Sequence, residues 1–132
     1  YASPKDALGI IDLNQRTKIS PYRETIDVRA HFGKSLAVDE DVLAVGAPND
    51  GKGSGSAFVF RRTNATAWSQ EAKLVTDDPD SQTFGSSLLI RDSLIVVAAK
   101  DYGEVDEGAV FVYARDDYSS SSWRQLSFPF RG

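Results

Sequence analysis

The apolar positions of the chain fall into short runs separated by polar turns, a spacing typical of β-strands. Residues 35–39 form a short alternating segment, typical of a strand, with Leu36 and Val38 on one face. Residues 42–47 and 94–99 are almost entirely apolar, which is typical of strands covered on both faces. Each of these two runs follows a polar pair, residues 40–41 and 92–93, suited to a tight two-residue turn. The pattern therefore predicts antiparallel hairpins.

A helix is the competing interpretation of residues 88–99, because short apolar runs do not by themselves distinguish helix from strand. The β-branched side chains and the polar turn inside this segment favour two strands. Further strands are predicted at residues 56–61, where Phe58 and Phe60 share a face, and at about residues 69–75. These assignments predict an all-β chain.

The second half of the chain repeats the first. Residues 32–51 align with residues 84–103 and are identical at seven of the twenty positions, where roughly one identity is expected by chance. After one inserted residue the third strands also align, and Trp68 then matches Trp123. The identical pairs of the first block are Phe32/Phe84, Gly33/Gly85, Ser35/Ser87, Leu36/Leu88, Val45/Val97, Ala47/Ala99 and Gly51/Gly103. Four antiparallel strands in a unit of about fifty residues are typical of a β-propeller blade.

The first repeat carries a motif with a clear physical rationale. Phe32 and Gly33 precede the first strand, and Gly46, Ala47 and Pro48 end the second. Glycine after phenylalanine permits a tight bend, the Gly-Ala pair permits close approach near a crowded propeller axis, and proline ends the ladder because it has no N–H to donate. The motif resembles the FG-GAP signature found in integrin α-chain propellers and in many secreted repeat proteins.

The second repeat is a degenerate copy of this motif. It keeps Phe84 and Gly85 but has Ala98, Ala99 and Lys100 where Gly-Ala-Pro would stand. The resemblance implies an all-β fold of two four-stranded antiparallel propeller-type blades. Such a pair is incomplete as a propeller, because propellers typically contain four to eight blades. We divide the chain into an N-terminal segment (1–31) and two FG-GAP-like repeats (32–83 and 84–132).

The N-terminal segment has no counterpart in the repeats. We expect short strands at residues 9–13 and around Ile26 and Val28. They form either a cap or remnant of a preceding blade, or a strand donated to a neighbour's sheet. Two blades alone would expose an apolar sheet face at each end. The chain is therefore an excerpt of a longer propeller, a subunit that completes a ring, or a subunit that stacks into an open polymer.

Composition narrows the classes of partner. The net charge is -4, so binding to nucleic acid or to an anionic membrane surface is not expected. No apolar run is long enough to span a bilayer, so membrane insertion is not expected either. The chain contains neither cysteine nor methionine and has no signal-like segment, and we interpret it as a processed or excerpted chain.

Catalytic chemistry finds little support in the sequence. The only histidine, His31, precedes the Phe-Gly bend and is best explained as a turn residue. A Ser-His-Asp triad therefore has no support, and no second histidine is available for a metal. The carboxylates lie in turns and loops, where solvated charge is the usual explanation, although sequence alone leaves a glycosidase-like carboxylate pair open. We predict a protein that is not an enzyme.

Calcium enters only through the family resemblance, because integrin blades often carry an Asp-x-Asp-x-Asp-Gly loop. The first repeat has one carboxylate and a lysine in the corresponding loop, too few ligands for calcium. The second repeat has Asp101, Glu104 and Asp106, which are weak calcium candidates. A solvated turn is the preferred interpretation, and no cofactor is expected.

Glycosylation has a more direct signal. Asn64, Ala65 and Thr66 form an N-x-Thr acceptor in a polar loop between strands, so an N-linked glycan on Asn64 is expected. The matching loop of the second repeat contains four consecutive serines, residues 119–122, consistent with a flexible linker or an O-glycosylated one.

The sequence favours a non-catalytic structural or adhesive protein, extracellular or at the cell surface, that self-associates into an oligomer or filament. Its expected partners are other copies of itself or further FG-GAP blades. The alternative is the propeller portion of a larger secreted enzyme or receptor that binds a protein or carbohydrate ligand. A carbohydrate site would depend on exposure of Tyr102, Tyr118 and Trp123, but packing between blades is the preferred interpretation of these aromatics.

Overall fold

A computed structural model describes residues 17–22, 25–117, 119–126 and 129–132. In this part of the chain nine strands form two antiparallel sheets. The first sheet has the strand order β1-β2-β3-β4, and in the second β5, β6, β7 and β8 are neighbours while β9 also pairs with β7. The strands are β1 (Ser35–Asp39), β2 (Val42–Ala47), β3 (Ser56–Asn64), β4 (Ala67–Leu74), β5 (Phe84–Arg91), β6 (Leu94–Ala99), β7 (Ala109–Ala114), β8 (Arg124–Gln125) and β9 (Phe130–Arg131).

Each sheet has the width of one propeller-type blade. The strands β8 and β9 both pair with β7, through Tyr113–Gln125 and Val110–Phe130, and together they take the place that β4 has in the first sheet. We refer to the sheet of β1 to β4 as blade 1 and to the sheet of β5 to β9 as blade 2. The prediction of an all-β fold with two incomplete-propeller blades is confirmed.

The predicted hairpins are also confirmed. Both two-residue turns lie where the polar pairs predicted them, and each begins with a residue of positive φ, 51° at Glu40 and 53° at Asp92. Residues 88–99 form β-structure with the turn between two strands, so the helix alternative is wrong. The third strand runs on to Asn64 and the fourth begins at Ala67, so a tight turn replaces the predicted loop.

The main core lies between the blades. The face of blade 1 that points toward blade 2 (its inner face) is built from small and medium side chains such as Ala57, Val59 and Leu74. Blade 2 packs larger side chains against them, including Phe84 and Phe111, whose rings are 5.1 Å apart in an edge-on arrangement. The two blades therefore share one hydrophobic core, with small residues on one side and large residues on the other.

The outer face of blade 1 is partly covered by the segment that precedes it. Phe58 and Phe60 are buried there, and Ile19, Ile26 and Phe32 pack against them. Residues 25–34 make this contact through turns, so the predicted strand at Ile26 and Val28 is wrong. The predicted strand at residues 9–13 lies outside the described residues.

The outer face of blade 2 is open in the described structure. Along β6 burial alternates: Ile95, Val97 and Ala99 are buried, whereas Leu94 is 43% exposed and the other outward residues are half-buried. The prediction that residues 94–99 are covered on both faces is therefore wrong. It holds for β2, which has a covering layer on each side.

Candidate functional site

The FG-GAP motif forms the contact between the blades. Both predicted bends after phenylalanine have positive φ, 95° at Gly33 and 92° at Gly85. At the interface, a Cβ atom added to Gly46 would lie 2.1 Å from the carbonyl oxygen of Gly85. The Ser35 hydroxyl donates a 2.7 Å hydrogen bond to that same oxygen. The Phe-Gly of the second repeat thus docks on Gly46 and Ala47 of the first.

The loop after Pro48 completes this docking site. The strand β2 ends at Ala47, as expected from the following proline. The amide of Thr83 donates to Gly53 O at 2.8 Å, and that of Phe84 donates to Ser54 O at 3.0 Å. The sequence predicts that Gly46 is needed because a propeller axis is crowded. The atom that crowds it belongs to the neighbouring blade, and only the repeat alignment hinted at that partner.

A second contact fastens the far end of the blades. The carboxylate of Asp39 accepts a 2.7 Å hydrogen bond from the backbone amide of Asp92, in the turn between β5 and β6. The indole N–H of Trp123 donates to Glu71 at 3.1 Å, which links the fourth strand regions of the two blades. The interface is therefore fixed by backbone docking at one end and by carboxylate acceptors at the other.

An ion pair with a buried aspartate and a half-exposed lysine fastens the preceding segment to blade 1. Asp50 is 3% exposed and lies 2.8 Å from Lys73. It also accepts hydrogen bonds from the amide of Asp27 and the hydroxyl of Ser56, each at 2.7 Å, and Lys73 in turn donates to the carbonyl of Thr25. Burial alone would raise the pKa of Asp50, but the hydrogen bonds from Lys73, Asp27 and Ser56 outweigh it and hold the pKa below its ordinary value.

The outer face of blade 2 is an extended apolar surface. One cross-strand row places Leu89, Val96 and Val112 side by side, and the amide of Leu126 bonds to the carbonyl of Val112 at the end of the row. A neighbouring row runs from Ser87 through Ala98 and Val110 to Phe130. Two shallow depressions lie on this face, one between Leu89 and Val96 and one beside Ala98 and Phe130.

The predicted calcium loop does not bring a ligand set together. Lys100 Nζ binds both carboxylate oxygens of Asp101, at 2.8 and 3.0 Å, while Glu104 and Asp106 are exposed. Among the described residues there is no group of three or more acidic or histidine side chains placed to hold a metal. The residues of this loop therefore do not fit a calcium ion as they stand, and the expectation that the loop is a solvated turn without a cofactor stays a prediction.

The remaining predicted site residues lie at the surface. His31 is an exposed residue in the turn before β1, with φ 58°. Asn64 ends β3 and is exposed, and its side-chain oxygen accepts hydrogen bonds from the amide and the hydroxyl of Thr66 at 3.0 and 3.3 Å. The acceptor triplet is thus accessible in a tight turn, and its glycosylation stays a prediction.

The aromatic residues considered for carbohydrate binding do not form an exposed platform. Tyr102 is completely buried, and its hydroxyl donates to Asp78 at 2.9 Å, which agrees with the packing role that the sequence favours for it. Trp123 is half-buried, with the guanidinium of Arg115 stacked 4.7 Å from its ring. Tyr118 lies outside the described residues. The two described aromatics serve packing in and around blade 2.

Comparison with known proteins supports the same architecture. A family model of the FG-GAP repeat matches residues 26–60, which confirms the resemblance in the first repeat. No curated protein matches the chain. FG-GAP repeats are typically non-catalytic, extracellular interaction domains, and the match indicates a β-propeller-type interaction module. None of the helices in the described ranges is long and apolar enough to cross a membrane.

Proposed function

We propose that this protein is a non-catalytic structural or adhesive protein, extracellular or at the cell surface, that acts by assembly through its blade faces. The observation that carries the proposal is the open outer face of blade 2, where Leu89, Leu94 and Phe130 are 61%, 43% and 60% exposed. A contiguous apolar sheet face of this kind marks an interaction site in a folded protein. The partners are other copies of the chain or further FG-GAP blades.

The extracellular assignment rests on two supports. FG-GAP repeats typically occur outside the cell, and residues 26–60 match that family. The accessible Asn64 acceptor turn suits an N-linked glycan, which is added only along the secretory route.

The absence of catalysis is supported by the contacts of the polar residues. Asp50 is held by an ion pair and two hydrogen bonds that fasten backbone segments, and the single histidine is a turn residue. At the blade interface, Ser35, Asp39 and Glu71 likewise form hydrogen bonds that hold one blade against the other. A reproducible hydrolase activity that is lost on replacing a loop carboxylate would contradict this part of the proposal.

A second candidate function is the propeller portion of a larger secreted enzyme or receptor, binding a protein or carbohydrate ligand. What favours it is the blade number, because two blades are fewer than the four to eight of a closed propeller. In that case the open face of blade 2 would be covered by a further blade encoded elsewhere in a longer chain.

The native mass of the protein distinguishes the two candidates. Light scattering over a wide concentration range, with electron microscopy of the same samples, is expected to show an oligomer or a filament. A monomer at every concentration would contradict assembly by this chain and would favour the propeller of a larger protein.

A further inference from the structure

We infer that the outer face of blade 2 pairs with the same face of a second copy about a two-fold axis, giving a closed dimer. This inference rests on the proposed self-association and assigns it a face and a symmetry.

The outer face of blade 2 corresponds, position by position, to the inner face of blade 1. The repeat alignment and strand pairing match eight positions, and seven of them carry a larger side chain in blade 2. The matched pairs are Ala37/Leu89, Val42/Leu94, Ala44/Val96, Gly46/Ala98, Ala57/Val110, Val59/Val112, Ala72/Leu126 and Leu74/Phe130. Blade 2 thus presents the same kind of apolar face as blade 1, with bulkier residues.

These larger residues do not suit a third FG-GAP blade at the spacing found between blades 1 and 2. At position 46 a Cβ would meet the carbonyl oxygen of Gly85 at 2.1 Å, and the matched residue Ala98 carries that Cβ. The carboxylate of Asp39, which accepts an amide from the next blade, is matched by Arg91, which cannot accept. Two of the contacts that fasten one blade to the next are therefore absent from this face.

A face of medium-sized aliphatic residues suits a copy of itself. Between blades 1 and 2, small residues face large aromatic rings, whereas the outer face of blade 2 carries mainly leucine and valine. Two sheets that pack face to face lie about 10 Å apart and interdigitate side chains from both inner faces. Equal contributions of leucine and valine from two copies fill such a layer, which favours an interface formed by like faces.

The covered outer face of blade 1 favours a closed dimer over a filament. Stacking into a filament requires two complementary faces, but the outer face of blade 1 has Phe58 and Phe60 buried beneath Ile19, Ile26 and Phe32. Of that face, the exposed apolar residues are Leu36 and Val38 on the edge strand β1. When the one open face of a chain binds the same face of a second chain, no open face is left for a third chain. The result is a two-fold dimer and not a growing filament.

The size of the face predicts a modest affinity. The two rows described above and a third row, formed by Arg91, Leu94, Ala114 and Arg124, cover roughly 400 Å² per copy at the usual strand and residue spacings. The total of about 800 Å² lies below the roughly 1,200–2,000 Å² of stable specific interfaces and in the range of weak, transient ones. We therefore expect a dimer whose proportion rises with protein concentration.

Single cysteine substitutions test the symmetry, because the chain contains no cysteine of its own. Val96 lies in the middle of the face, between Leu89 and Val112, so a two-fold axis through the face brings it close to its counterpart. We expect Val96→Cys to form a disulfide-linked dimer under mild oxidation. Val38→Cys, the same change at a 63% exposed position of blade 1, is the matched control and is expected to give no disulfide-linked dimer.

The outcomes separate the inference from the proposed function. If Val96→Cys alone gives no dimer and the Val38→Cys/Val96→Cys double variant gives a ladder of oligomers, the chains stack head to tail. That result overturns the two-fold inference and leaves the proposed self-association standing. A monomer by light scattering at every concentration, with no disulfide from Val96→Cys, overturns both. As a second variant, Val96→Asp is expected to abolish the dimer without changing the urea midpoint of the monomer, and a dimer that persists would refute the assignment.

Discussion

Replacing Gly46 by alanine tests whether the FG-GAP motif is a docking contact between blades. The added Cβ would lie 2.1 Å from the carbonyl oxygen of Gly85 and 2.1 Å from the hydroxyl oxygen of Ser35. The serine side chain has freedom to rotate away, but the Gly85 carbonyl is backbone and lies in the same interface as Phe84. Relief therefore requires the two blades to separate locally.

The loss of stability expected for Gly46→Ala has two parts. Overpacking a tightly filled interface typically costs about 1–3 kcal/mol. Rotating Ser35 away breaks its 2.7 Å hydrogen bond to Gly85, a further loss of about 1 kcal/mol. We expect Gly46→Ala to lower the free energy of unfolding by about 2–4 kcal/mol, which is a large share of the stability of an ordinary domain.

The assay is urea unfolding at low protein concentration, followed by the fluorescence of Trp68 and Trp123. The matched control is Ala98→Gly, the reverse exchange at the corresponding position on the open face of blade 2. A glycine within a strand there costs only about 0.5–1 kcal/mol, because no other blade packs on it in the described structure. If Gly46→Ala is no less stable than Ala98→Gly, the docking argument is refuted.

Three further predictions concern the side chains of Asp50, Tyr113 and Asn64. Asp50→Asn leaves its lysine partner without a carboxylate and is expected to cost about 1–3 kcal/mol at pH 7 in urea unfolding, against less than about 0.5 kcal/mol for Asp101→Asn in an exposed pair. The pKa of Asp50 is lowered in the folded state, so its contribution to the free energy of unfolding is present above the unfolded pKa of about 4. That contribution is lost as the pH falls through the folded value. The wild type and Asp50→Asn should therefore become equally stable in acid. Burial, followed by a nearby carboxylate, raises the pKa of Tyr113 to about 12. The unfolded chain ionises first, so stability should fall as the pH rises from about 10 toward 12, and Tyr113→Phe should remove that part of the slope; an unchanged slope would count against the assignment. When the chain is expressed through the secretory route, mass spectrometry should show a glycan mass on the wild type that is missing from both Asn64→Gln and Thr66→Ala. A wild-type chain without that mass would contradict glycosylation.

The sequence alone determined the repeat and the main hairpins within it, but not the structure of the segment that precedes them. Hydrophobic alternation and polar pairs identify strands and two-residue turns because these depend on neighbouring residues, and the turns at Glu40 and Asp92 formed where they were expected. The motif glycines were also identified correctly, since positive φ after Phe32 and Phe84 is a local requirement. The length of β3 was underestimated, because pairing with β4 carries it through polar residues to Asn64.

The tertiary structure decided which faces are covered. Residues 42–47 and 94–99 look equally apolar in the sequence, yet only β2 is buried on both sides, since burial depends on what lies beyond each sheet. Tyr102 packs in the core, where its hydroxyl donates to Asp78 in the segment between the blades, and this partner is set by the tertiary structure and not by neighbouring residues. The partner of Gly46 likewise lies in the other repeat. Local patterns specify strands and turns, whereas contacts between distant segments determine which faces remain open to bind.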